Sequence, residues 1–97
     1  MKNYDKASWH IDGGEESDVV VERFKKIFEF LRDKDMLSDE GKESLDYCMD
    51  SSISLNSNMV NASGEGFLDK YYDTIIQKPN KMDDVLKEAY EKYEMEK

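Results

Sequence analysis

The longest run in which apolar residues return at helical spacing is Ser17 to Met36, and the remaining segments are patterned to pack against it. Within it, Val20, Phe24, Ile27, Phe28 and Leu31 fall at i, i+4, i+7, i+8 and i+11. At about 100° per residue these positions share one stripe, which predicts an amphipathic helix. Glu22, Lys25, Lys26, Glu29 and Asp33 form its wet side. Ser17 is the expected N-cap, its hydroxyl accepting from an orphan backbone N–H. Glu16 and Asp18 place negative charge beside the positive end of the helix dipole. Val19 and Phe30 flank the stripe and are read as widening the core face. The competing reading makes Phe30 an anchor for a partner.

Ser38 is expected to cap a second helix, from Asp39 to about Asp50, on a narrow stripe of Leu45, Cys48 and Met49. Gly41 in its first turn weakens it by about 1 kcal/mol relative to alanine. In Ser51–Asn58, Ile53 and Leu55 alternate with polar residues, as in a short strand, but serine and asparagine equally suit a loop. The stretch is read as a loop with two buried apolar plugs and a cap at Asn56 or Ser57. Phe67, Leu68, Tyr71, Tyr72 and Ile75 give one face of a third helix ending at Ile76. Its start is open. A helix running from Ser57 would bring Val60 and Gly64 onto the stripe, with Gly64 admitting a close neighbour. Alternatively the helix breaks at Gly64, with Ser63 as cap. Pro79 turns the chain, and Met82, Val85, Leu86, Ala89 and Tyr93 mark a last helix to about Met95. Residues 1–16 read as an extended segment, with Trp9 covering one end of the core and Gly13-Gly14 turning the chain. The expected fold is therefore mainly α: one domain over residues 1–97, a compact bundle of about four helices with an extended N-terminal segment packed on it.

Charge changes this picture more than length does. Of the 97 residues 23 are acidic and 14 basic, a net charge of −9. A phosphate backbone and an anionic membrane surface would both be repelled, so neither nucleic acid nor membrane is expected as a partner. A basic protein is the natural complement. Cys48 is the single cysteine, which rules out an internal disulfide and favours a reducing, cytoplasmic setting. The opening stretch lacks a signal-like apolar run, and nothing approaches the roughly 20 apolar residues of a membrane span.

Candidate chemistry is sparse. His10 is the only histidine, and no metal-ligand spacing accompanies it, so no metal or cofactor is expected. A calcium loop begun at Asp33 fails, because Leu37, Ser38 and Ser44 stand where an oxygen ligand, glycine and glutamate are needed. A Cys48–His10 nucleophilic pair is formally allowed, but Cys48 lies on the apolar stripe of its helix and reads as inert core. The chain is accordingly expected not to be an enzyme. As contact residues for a partner it offers the acids Glu15, Glu16, Asp18, Asp39 and Glu40, with Trp9 and Tyr47 as aromatic anchors. Tyr47 projects away from the stripe of its helix.

The opening Tyr4-Asp5-Lys6-Ala7-Ser8-Trp9-His10, followed by Gly13-Gly14 and an amphipathic helix, resembles a family of small acidic bacterial proteins of unassigned function that begin Tyr-Asp-x-Ala-x-Trp-His. Gly64 to Asp73, with Phe67, Tyr71 and Tyr72, is similar to a second segment of that family. The resemblance covers most of residues 4–76 and implies an immunity-type protein, one that neutralises a bacterial toxin; it carries over no catalytic residue. Two functions thus stand beside each other: a non-catalytic module binding a cationic toxin, and a structural helper forming a homodimer through Phe30 and Tyr90.

Overall fold

The computed structural model describes residues 2–96. The predicted central helix is α2, Ser17–Asp33, with Val20, Phe24, Ile27, Phe28 and Leu31 on its buried face. Around it lie a strand β1 (Asn3–Lys6), a short helix α1 (Ala7–Asp12), α3 (Asp39–Tyr47), a strand β2 (Ser54–Asn56), α4 (Ala62–Ile76) and α5 (Met82–Met95). Short 3₁₀ turns at Ser57–Met59 and Pro79–Lys81 lead into α4 and α5. The architecture is mainly α, with one small two-stranded antiparallel sheet.

Helix α2 starts at Ser17 itself, so Glu16 occupies the N-cap position and no side chain caps it. Its other end is closed by the backbone. Asp35 takes a left-handed φ of 57°, and its N–H reaches the Arg32 carbonyl while the Met36 N–H reaches Leu31 at 2.8 Å. That pair of bonds satisfies carbonyls the helix leaves open, and buried Leu31 and Met36 supply the apolar contact that accompanies such an ending. Val19 does not widen the core face: it is half-exposed, on the side of α2 that faces the start of α5 across an open groove. Phe30 does contribute to the core: it packs on Phe67 and meets Tyr90 edge-on at 5.9 Å, with the Lys34 ammonium 4.7 Å from the Tyr90 ring. Tyr93 closes the same cluster against Phe67 at 5.5 Å.

The N-terminal segment differs from the expected extended piece. Residues 3–6 are extended and pair with β2, Asp5 opposite Leu55 and Lys6 opposite Ser54. Residues 7–12, which include Trp9 and His10, are helical. Six residues carry too little periodicity to announce a helix and are too short to form one alone. Tertiary contacts hold them, since Ala7 is fully buried and its N–H bonds the Ile53 carbonyl at 3.0 Å. Trp9 lies over the Lys6 ammonium, half in solvent, rather than over the core. Gly14 alone of the glycine pair takes the positive φ of the turn, 102°.

Helix α3 is capped by Ser38, whose hydroxyl accepts from the Gly41 N–H at 3.1 Å. It ends at Tyr47 with Cys48 at the C-cap position, and beyond it Asp50 turns the chain, its carboxylate accepting from the Ser52 N–H at 2.8 Å. Cys48 consequently leaves the apolar stripe and is exposed, which corrects its reading as core. Both apolar plugs are buried, Ile53 and Leu55, but the stretch from Ser54 to Asn56 is strand rather than loop, and Asn56 caps the turn that follows. Helix α4 begins at neither expected position. Asn61 is its cap, accepting from the Gly64 N–H at 3.0 Å and donating to the Asp35 carbonyl at 2.7 Å, so a tertiary bond selects this start.

Two glycines admit backbone where a side chain would block it. A Cβ on Gly41 would fall far inside contact distance of the Met59 carbonyl, and one on Gly64 inside that of Met36. The helical weakness of Gly41 is therefore the cost of seating α3 against the turn before α4. Gly41→Ala should lower unfolding stability by about 1–3 kcal/mol despite alanine's better helix propensity. Urea denaturation checks this; a stabilised variant would mean that α3 does not pack so closely.

Candidate functional site

Three features gather the polar and exposed groups a function requires: a buried polar network, an acidic groove, and two exposed aromatic side chains.

The network centres on Asp5, the only buried acidic residue, 4% exposed. Its carboxylate accepts from the Lys6 N–H at 2.8 Å and the Tyr72 hydroxyl at 2.6 Å, and His10 Nε2 lies 2.7 and 2.9 Å from its two oxygens. The other ring nitrogen, Nδ1, faces Glu15 at 3.1 Å, and Glu15 also holds the Arg23 guanidinium. Burial, reinforced by the Asp5 charge, pushes the Tyr72 hydroxyl well above its ordinary value, which keeps it a donor. Both His10 ring nitrogens are thus occupied, one by Asp5 and one by Glu15, and the ring meets Phe24 edge-on. The network clamps β1 and α1 onto α2 and α4. Asp5 went unnoticed in the sequence because a lone acid in a polar stretch carries no periodic signal. Its place five residues before the only histidine was the available clue.

The groove lies between the N-terminal half of α2 and the start of α5, about 640 Å³ in volume. Asp18, Val19, Glu22 and Arg23 of α2 form one wall; Asp83, Asp84 and Lys81 stand opposite. Lys26 bridges the walls to Asp83 at 3.8 Å. Among the described residues Asp18, Glu22 and Asp84 form no ion pair, and Lys81 is the one groove base without a carboxylate partner.

The expected contact residues are thus dispersed. Glu15 is turned inward to His10 and Arg23. Glu16 is exposed at the N-cap of α2 and Asp18 joins the groove. Asp39 and Glu40 are exposed in the first turn of α3, where they favour its N-terminus but do not line the groove. Trp9 is 53% and Tyr47 83% exposed. The groove acids Asp83 and Asp84 stand in the first turn of α5, where the helix dipole favours them. Among the described residues no group of three His, Cys, Asp or Glu side chains is placed to hold a metal ion, and no helix is long and apolar enough to cross a membrane. Comparison of the chain with protein-family models, with curated proteins and with solved structures returns no match.

Two outcomes test the network and its flank. Asp5→Ala leaves Tyr72 and His10 without their acceptor, and should cost about 3 kcal/mol in a urea titration; a loss below about 1 kcal/mol would show that the clamp is dispensable. A second clasp joins β1 to α4, where Lys2 at 2.9 Å and the Tyr4 hydroxyl at 2.8 Å both reach Asp69. The Lys2 bond first, then that of Tyr4, holds the Asp69 carboxyl below its ordinary 3.8. A depressed value means that the unfolded chain takes up the proton first. This stabilisation is complete above the ordinary value and is lost as pH falls through the depressed one. Acid should therefore loosen the amides of residues 3–6 before those of α2, and Asp69→Asn should remove that pH dependence, as read by NMR. Uniform loss along the chain would contradict it.

Proposed function

We propose that this protein is a non-catalytic binding module for a basic protein, of the immunity or antidote kind, acting in a reducing, cytoplasmic setting. The observation that carries the reading is the placement of charge: of 23 acidic residues only Asp5 is buried, so the net charge of −9 is displayed almost wholly at the surface. Such a surface steers a cationic partner into encounter and disfavours anionic ones. Exposed Trp9 and Tyr47 supply amphipathic rings of the type that anchor protein contacts.

The alternative homodimeric helper draws less support. Phe30 and Tyr90, its proposed interface, spend their ring faces on each other, on Phe67 and on Lys34. A second copy would also bring its own −9 against the first. Co-expression with the products of adjacent genes, followed by calorimetry on the co-purified pair, tests the proposal. The expected partner is basic, its affinity falls about tenfold or more as salt rises from about 50 to 300 mM, and its toxicity is relieved by this chain. A partner bound without salt dependence, or a tight homodimer by sedimentation with no basic partner, would contradict it.

A further inference from the structure

We draw no further inference here: the strongest candidate, the open groove between α2 and α5, is an acidic cluster nearly balanced by Arg23, Lys26 and Lys81 of its own lining, and nothing in the structure shows what covers it.

Discussion

A carboxylate that leaves water must find hydrogen-bond donors within the protein, or the fold loses several kcal/mol. Asp5 does so through groups from three places in the chain: the neighbouring Lys6 amide, His10 five residues on, and Tyr72 far along in α4. Because His10 also reaches Glu15, and Glu15 reaches Arg23 of α2, one buried charge fixes where the first sixteen residues sit on the helical core. The sheet of β1 with β2 lies along this line, Asp5 being the residue opposite Leu55. A four-residue strand and a six-residue helix are too short to hold themselves, and the network adds to the burial of Ala7 and the Asp69 clasp in fixing them.

The remaining acids are arranged the opposite way. The core is filled by the stripes of the four longer helices, with Phe24, Phe28 and Phe67 almost wholly enclosed, and among the described residues the charged side chains other than Asp5 and Arg23 are kept at or near the surface. Asp18, Asp39, Asp83 and Asp84 sit in first turns, where the helix dipole favours them. The same placement that stabilises helix starts thus builds the anionic surface. Where two such starts converge, at α2 and α5, it builds the groove.

How much of this could be read in the chain follows from the length and period of each signal. The stripes of α2, α4 and α5 were legible because each repeats over three turns or more, and Ser38 was legible as a cap because its helix begins at once. Helix α1 was not: six residues hold fewer than two turns, and contacts from Ile53 and Phe24 decide its conformation. The start of α4 was hidden for a related reason. Asn61 competes with Ser57 and Ser63 on equal local terms, and only its bond to the Asp35 carbonyl settles the choice. Cys48 was misplaced because α3 ends one residue before it, short of the expected Asp50. Of the site, Asp18 and Tyr47 were visible as exposed groups, whereas the exposure of Trp9, expected over one end of the core, the bonds of Glu15 to His10 and Arg23, and the placement of Asp18 and Asp84 in one groove depend on tertiary packing that no local pattern carries.

The account rests on residues 3–12 being welded to the helical core by a buried polar hub rather than lying loosely on it. Native-state hydrogen exchange addresses this directly. If the hub holds, the amides of Gly13 and Glu15, which close α1 on the Trp9 and His10 carbonyls, and that of Ala7, bonded to Ile53, exchange only with an opening energy close to that of Phe28 in α2. If instead they exchange by a separate low-energy opening while α2 stays protected, the N-terminal segment is an appendage and the central claim fails.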